Sequence, residues 1–174
     1  RPPAGSVAGV SSFQLHFADF YIETPGDKPD VLVAMNPAAL KAHLGDLKPG
    51  GLLIADTAEF TQHKLARVGY LTNPLQDGSL DEYDLHAIDL TGRTVAAVES
   101  FGLRRKDAQR ARNMYTLGLL TWLYSHPVQP TLEFLDRKFE CKPGICQADK
   151  AAFLAGHAYG ETAQAFTVRY EVAP

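Results

Sequence analysis

Residues 30–56 contain the pattern of one complete strand, helix and strand. The apolar run at 31–35 does not alternate, which is typical of a parallel strand covered on both faces, and a second such run follows at 52–55. Between the two runs, Asn36 can cap a helix and Pro37 suits the first helical turn. The sequence therefore predicts an α/β fold in three layers, with a mostly parallel or mixed sheet and helices on both faces.

Three leucines and a turn complete this unit. Leu40, Leu44 and Leu47 repeat at helical spacing and predict one buried stripe. The tetrapeptide Lys-Pro-Gly-Gly at 48–51 is typical of a helix end. A short helix is predicted around residues 60–68.

Alternation of apolar and polar residues predicts further strands. Residues 11–22 alternate with a slip near Ala18, which predicts a half-buried strand with a bend or bulge. Residues 83–90 alternate again. The segment 166–172 is predicted to be a strand that returns the chain to the sheet or leads toward a following domain, while residues 94–100 fit a helix or a strand.

The second half of the chain is predicted to be helical. The longest helix is expected at 106–124, where apolar residues fall near one face. Gly118 lies inside it and predicts close packing of another helix or strand, because glycine otherwise weakens a helix. Thr131 is predicted to cap the next helix, and a further helix is expected at about 146–156.

Charge and hydropathy restrict the classes of partner that this chain can bind. The formal net charge is −3 and the pI is about 6.1, which gives no support for binding nucleic acid or an anionic membrane. No apolar run approaches the roughly 20 residues that cross a bilayer, and the sequence shows no secretory signal. We therefore predict a cytoplasmic protein that has neither nucleic acid nor membrane as a partner.

Four residues are candidates for ligand contact on their position alone. Asn36 and Asp56 each follow a predicted parallel strand, at the sheet edge where ligands bind in open α/β folds. Helix capping and turn formation also explain both residues, and these structural roles are favoured for each. Ser11 and Ser12 follow a glycine-containing loop and could offer hydroxyl and N–H groups to an anion, or could simply form a loop.

The cysteines and histidines form no recognisable metal or redox motif. Cys141 and Cys146 are the only cysteines, and two thiols cannot complete an iron–sulfur or structural zinc site alone. A reduced pair near a turn is favoured over a redox pair or a shared metal site. The six histidines lie one per element, so we predict no metal ligand and no catalytic residue.

The segment 47–56, LKPGGLLIAD, resembles the part of class I S-adenosylmethionine-dependent methyltransferases that follows a helix. In those enzymes a similar turn precedes an apolar strand. The resemblance covers about ten residues. The sequence lacks the glycine-rich loop and the acidic residue that bind the cofactor in that family. A methyltransferase-like domain is therefore the alternative hypothesis and not the favoured one.

A second resemblance covers nearly the whole chain. It comprises Arg1 with the following glycine-containing loop, the segments 12–14, 30–40 and 48–56, and the residues Asn113-Met114 and Leu117-Gly118. In order and spacing these are similar to the γ domain of 2-oxoacid:ferredoxin oxidoreductases. The nearest form is the α subunit of the 2-oxoglutarate enzyme, in which the γ domain precedes a thiamine-diphosphate-related domain. Ala148-Asp149 departs from the Ala-Asn that is usual in this family.

This resemblance implies one γ-type domain over residues 1–174, without its first strand and helix and without the catalytic domains that follow. It implies a role in the CoA-dependent oxidative decarboxylation of a 2-oxoacid, with 2-oxoglutarate as the expected substrate. Thiamine diphosphate, Mg²⁺, a [4Fe-4S] cluster and CoA would belong to the whole complex, and none would be bound by these residues alone.

The resemblance also implies partners and a contact site. The partners are the remainder of the α subunit, a β subunit that carries thiamine diphosphate and the cluster, and ferredoxin. The γ domain would pack against the catalytic domains and help to hold CoA. The expected contacts to CoA are Arg1, through pairing with phosphate, and Ser11, Ser12 and Asn36.

Overall fold

The computed structural model describes residues 10–18, 20–23, 28–139, 142–163, 166 and 168–171. The chain divides into two compact units, Arg1–Asp89 and Leu90–Pro174. Each unit is described by itself. The prediction of a single domain over residues 1–174 stays a prediction.

The first unit is built on a parallel sheet. Its strands are β1 (Val31–Ala34), β2 (Leu52–Asp56) and β3 (Asp84–Ile88), and its helices are α1 (Pro37–His43) and α2 (Gln62–Arg67). Short 3₁₀ turns follow α1 and β2, at Leu44–Asp46 and Thr57–Glu59. The strand order is β1-β2-β3, and both neighbouring pairs are parallel. The predicted α/β class and the strand, helix and strand unit at 30–56 are confirmed.

The ends of α1 follow the local signals in the sequence. Asn36 is the N-cap, and Ala39 N donates to its Oδ1 at 2.8 Å, while Pro37 stands in the first turn. Gly50 adopts a positive φ of 72° after the helical segment, a conformation that glycine reaches without strain. Gly51 has no room for a side chain, because a β-carbon there would lie 2.8 Å from the Lys48 carbonyl oxygen.

The core of the first unit lies around β2, which is buried along its whole length. Leu40 and Leu47 of the predicted stripe are buried, and Leu44 packs against the same core. Leu53 and Phe60 join them. Burying each large apolar side chain contributes about 1.5–3 kcal/mol, so this stripe anchors α1 to the sheet.

The second unit is helical in the described residues. It contains α3 (Leu90–Ala97), α4 (Arg105–Arg110), α5 (Arg112–Leu123), α6 (Gln129–Lys138) and α7 (Pro143–Thr162), with a 3₁₀ turn at Glu99–Phe101. The predicted helical second half is therefore confirmed. The ambiguous segment 94–100 belongs to the end of α3 and to this turn.

Helices α5 and α7 touch backbone to backbone at glycines. A β-carbon on Gly118 would lie 1.9 Å from the Phe153 carbonyl oxygen, and one on Gly156 would lie 1.9 Å from the Tyr115 carbonyl oxygen. Gly160 lies against the Trp122 ring in the same way. The predicted close packing at Gly118 is confirmed, and its neighbour is α7.

The predicted strand at 11–22 is wrong in this structure. The described residues 10–18 and 20–23 belong to no helix or strand, and their large apolar side chains are mostly exposed. Alternation indicates which face of a strand would be buried, but a strand also needs a neighbour to pair with. Alternation alone therefore does not make these residues a strand.

The predicted boundaries of the helices at 106–124 and at about 146–156 are also wrong, because the described helices are Arg105–Arg110, Arg112–Leu123 and Pro143–Thr162. The helix expected at 106–124 is divided at Ala111, whose N–H is shared between the carbonyl oxygens of Asp107 and Ala108. At this residue 3₁₀-type bonds accompany the α-type bonds, where α4 ends and α5 begins. The longest helix is instead α7, with 20 residues.

Thr131 is not a helix cap. Helix α6 begins at Gln129, with Pro130 in its first turn, so Thr131 lies inside the helix. Proline fits a first helical turn because its missing N–H would have no partner there, and the helix starts three residues earlier than a cap at Thr131 predicts.

The predicted strand at 166–172 is wrong as well. Its described residues, 166 and 168–171, belong to no strand. Tyr170 N donates to the Leu123 carbonyl oxygen at 2.8 Å, and the Tyr170 ring stacks on Tyr124 at 5.0 Å between centroids. This segment is held by the end of a helix, because the last carbonyls of α5 lack partners within their own helix.

Candidate functional site

The carboxyl ends of β1 and β2 meet at one edge of the sheet. Ala34 of β1 pairs with Ala55 of β2. Asn36 follows Ala34 by two residues, and Asp56 follows Ala55 by one residue. Asp56 is in turn paired with Ile88 of β3. The predicted placement of Asn36 and Asp56 at a common edge is confirmed, at the position where open α/β sheets bind ligands.

Asn36 combines a structural role with access to solvent. Its side-chain oxygen accepts from Ala39 N and caps α1, and its side chain is half-buried. The side-chain oxygen is already hydrogen-bonded to the helix backbone. The side-chain amide nitrogen is the atom that can donate a hydrogen bond to a ligand at this edge.

Asp56 lies beyond the reach of a ligand. Its relative exposure is 0%, and its side chain is engaged within the protein. A buried carboxyl group must be hydrogen-bonded or paired, since burying it otherwise costs several kcal/mol. The structural role favoured from the sequence is therefore the one that this geometry supports.

Ser11 and Ser12 lie in the exposed segment before β1. Both residues are exposed, and serine hydroxyl groups can donate to an anionic or polar group. Among the described residues, no hydrogen bond joins either serine to Asn36. Arg1 lies outside the residues that the structure describes, and so does Cys141.

Sequence reasoning missed two arginines of the second unit that each contact a side chain of another helix. Arg112, at the start of α5, donates from Nη1 to Thr91 Oγ1 of α3 at 2.9 Å. Arg93 lies with its Cζ 4.4 Å from the centroid of the Tyr159 ring. A guanidinium stacked on an aromatic ring stays charged and keeps donors for carboxylate or phosphate. Both Thr91 and Arg93 lie in α3, and no motif in the sequence singles them out.

Tyr115 interacts with Arg93. Burial is the main reason why the pKa of Tyr115 is raised above its ordinary value, and the nearby Arg93 charge opposes this shift. The phenol is therefore neutral at physiological pH and serves as a hydrogen-bonding partner for Arg93. Arg93 is exposed on its other side.

The described residues contain no cluster of metal-binding side chains. Nowhere among them do three His, Cys, Asp or Glu side chains lie close enough to hold a metal ion. Cys146 is buried, with its Sγ 3.4 Å from the Leu135 carbonyl oxygen. None of the helices formed by the described residues has the length and apolar character that a bilayer crossing requires.

Comparison with known proteins assigns most of the chain to one family. Residues 4–159 match the family model described as "Pyruvate ferredoxin/flavodoxin oxidoreductase". The chain is 51% identical over 174 residues to the protein named 2-oxoglutarate oxidoreductase subunit KorA of Mycobacterium tuberculosis (strain ATCC 25618 / H37Rv). This alignment covers 100% of the chain and 27% of the relative, so the chain spans about a quarter of that protein.

A solved structure shares the fold. It is described as 2-oxoglutarate:ferredoxin oxidoreductase from Magnetococcus marinus with 2-oxoglutarate, coenzyme A and succinyl-CoA bound. The TM-score is 0.61 at 22% identity, over 88% of this chain and 23% of the other. Similarity at this level of identity supports the α/β fold.

Proposed function

Because this chain belongs to the pyruvate ferredoxin/flavodoxin oxidoreductase family, we propose that it is the accessory γ-type domain of a CoA-dependent 2-oxoglutarate:ferredoxin oxidoreductase. The family predicted from sequence resemblance is thereby confirmed. The family match over residues 4–159 is the observation that carries the proposal. It does not favour the alternative of an S-adenosylmethionine-dependent methyltransferase.

The proposed reaction joins decarboxylation to two one-electron transfers. One 2-oxoglutarate, one CoA and two oxidised ferredoxins give succinyl-CoA, CO₂, a proton and two reduced ferredoxins. Thiamine diphosphate with Mg²⁺ supplies the electron sink for decarboxylation, and a [4Fe-4S] cluster carries the electrons. We assign thiamine diphosphate and the cluster to a β subunit that works with the remainder of the α subunit, and we place the enzyme in the cytoplasm.

The contribution proposed for this domain is to pack against the catalytic domains and to help hold CoA. The relative named KorA is a subunit of a 2-oxoglutarate oxidoreductase, and the structural neighbour is described with CoA and succinyl-CoA bound. Both names are consistent with the proposed substrates. CoA offers phosphate oxygens and amide groups, which suit donors such as hydroxyl and amide N–H groups.

Asn36, Ser11, Ser12 and Arg1 are the proposed contacts to CoA. Asn36 stands at the ligand-binding edge of the sheet with an amide nitrogen able to donate, and the two serines are exposed. Arg1 would pair with a phosphate as a charged donor. In this proposal none of the four acts on the reacting atoms, so they affect binding of CoA and leave the decarboxylation step unchanged.

The test separates the capping role of Asn36 from contact with CoA. Asn36→Asp retains a capping oxygen but removes the amide donor and adds negative charge, whereas Asn36→Ser retains a cap and a hydroxyl donor. In the complete enzyme we expect Asn36→Asp to raise the KM for CoA about tenfold. The kcat and the KM for 2-oxoglutarate should remain at the wild-type values.

Matched controls decide the outcome. Asn36→Ser should shift the KM for CoA less than Asn36→Asp does, since it still offers a donor without adding charge. An unchanged KM for CoA in Asn36→Asp would remove this residue from the proposed contact. Failure of the wild-type complex to form succinyl-CoA from 2-oxoglutarate, CoA and ferredoxin would overturn the proposed function itself.

A further inference from the structure

A basic patch lies on α4 and on the residue that precedes it. Its members are Arg104, Arg105, Lys106 and Arg110, all of which are exposed. Residues 104–110 contain four of the chain's 17 lysines and arginines but only one of its 20 acidic residues. The rest of the chain therefore has a formal charge of −6, opposite in sign to the charge of the patch.

The protein itself neutralises little of this charge. Arg110 Nη1 lies 3.3 Å from Asp107 Oδ1, and the Arg110 side chain is 69% exposed. An ion pair as exposed as this one contributes little and leaves both groups in contact with water. Arg104, Arg105 and Lys106 form no salt bridge with the described residues. Most of the patch is therefore available to another molecule.

Helix stability does not explain where these cations lie. Arg105 and Lys106 stand in the first turn of α4. The N-terminal end of a helix carries partial positive charge, so cations are disfavoured in the first turn and favoured in the last. Of the patch residues within the helix, only Arg110 lies in the last turn. An interaction with an anionic partner would offset this unfavourable placement.

The spacing of the cations restricts the kind of partner. Lys106 and Arg110 are four residues apart and share one face of α4, whereas Arg105 is rotated from Lys106 by about 100° around the helix. Charges spread in this way suit a broad surface with several carboxylates better than one phosphate group. An extended polyanion such as nucleic acid or an anionic bilayer would also be repelled by the acidic remainder of the chain.

We propose that the basic patch is the docking surface for an acidic protein that binds reversibly, namely the ferredoxin that accepts electrons in the proposed reaction. The inference rests on the proposed function, whose reaction has ferredoxin as its protein substrate. Two ferredoxins bind and leave in each turnover, and opposite charges speed and orient encounters of this kind. The four side chains act on binding and take no part in the electron transfer itself.

Steady-state kinetics of the complete enzyme test the proposal. The double variant Arg105→Glu/Lys106→Glu reverses two charges of the patch. With a ferredoxin of net negative charge as the varied substrate at low ionic strength, we expect its KM to rise about tenfold or more. At about 0.5 M salt the KM values of variant and wild type should converge, because salt screens exposed charges over a few ångströms. The KM values for 2-oxoglutarate and CoA should not change.

The double variant Arg137→Glu/Lys142→Glu is the matched control. Both residues are exposed and belong to the same unit, and the formal charge changes by the same amount. We expect this control to keep the wild-type KM for ferredoxin. Both double variants should reduce methyl viologen, a small electron acceptor, at the wild-type rate, which shows that each enzyme is folded and active. Equal increases of the KM for ferredoxin in the two variants would overturn the proposal.

Other occupants of the patch give different results. If the patch variant separates from the other subunits on gel filtration, a permanent subunit covers the patch and the proposal is wrong. Loss of binding to phosphatidylserine vesicles or to double-stranded DNA, with the KM for ferredoxin unchanged, would assign the patch to one of those partners and would also overturn it.

The proposed function and the docking surface can fail separately. A wild-type complex that does not oxidise 2-oxoglutarate, yet binds ferredoxin less tightly after the charge reversal, would remove the proposed function and retain the docking surface. An active enzyme whose KM for ferredoxin is unaffected by the charge reversal would do the reverse.

Discussion

Gly118 of α5 meets the backbone of Phe153 in α7 so closely that a β-carbon would lie 1.9 Å from the Phe153 carbonyl oxygen. Real β-carbons do not approach a carbonyl oxygen to this distance, so a larger residue must push the helices apart. The two helices form the packing centre of the second unit, where Leu119, Ala152 and Phe153 are fully buried.

We therefore expect Gly118→Ala to destabilise the chain by about 3 kcal/mol or more, despite the higher helix propensity of alanine. Denaturant unfolding followed through Trp122, the only tryptophan, measures this loss. Gly144→Ala is the matched control, because Gly144 lies in the first turn of α7 with no atom within 4 Å of a new β-carbon. A Gly118→Ala variant as stable as Gly144→Ala would contradict the close approach.

Asp149 gives a pH-dependent prediction. Its pKa is raised above the usual value of 3.8, mainly by burial, while the Lys138 charge opposes the shift. The folded state therefore binds more protons than the unfolded state in the window above pH 3.8, and stability falls as the pH rises through the folded-state pKa. Asp149→Asn removes this titration.

We expect Asp149→Asn to be more stable than the wild-type chain at pH 7, where the wild-type carboxylate is charged. Below pH 3.8 the stabilities of both chains should change with pH in the same way, because the carboxyl group is then protonated in both the folded and the unfolded state. Denaturant unfolding at a series of pH values measures the difference. Greater stability of the wild-type chain at neutral pH would show that the carboxylate has a favourable partner there.

The described end of the chain gives a third prediction, at Tyr170. Its ring stacks on Tyr124, and the neighbouring Arg169 lies with its Cζ 5.3 Å from the centroid of the Trp122 ring. We expect Tyr170→Ala to cost about 1 kcal/mol and to make Trp122 more accessible to acrylamide quenching. Glu171→Ala, at an exposed neighbouring position, should change neither quantity. Unaltered quenching in Tyr170→Ala would show that the ring stack does not hold this segment.

Cys146 should react slowly with alkylating reagents. Burial is the largest cause of its raised pKa, and contact with Asp136 acts in the same direction. Since the thiolate is the reactive form, a Cys141→Ser chain should be alkylated by iodoacetamide about 100-fold more slowly when folded than in denaturant. Comparable rates under the two conditions would mean that Cys146 is accessible in the folded protein.

The site was predicted from sequence only in part. The position of Asn36 at the carboxyl end of a parallel strand followed from neighbouring residues, and so did its capping role. The pairing of Arg112 with Thr91 joins residues 21 positions apart in two helices. No pattern in either helix specifies that contact, because it depends on how α3 and α5 are packed.

The sequence by itself determined the parallel unit at 30–56, since its cap, its apolar stripe and its terminal glycines act within a few residues of one another. It also determined that Gly118 must lie against a neighbour. Only the tertiary structure decided that α7 is that neighbour, that Asp56 is fully buried and that Tyr170 is held by the end of α5. These outcomes depend on contacts between distant parts of the chain, and local propensity contains no information about which distant surfaces will meet.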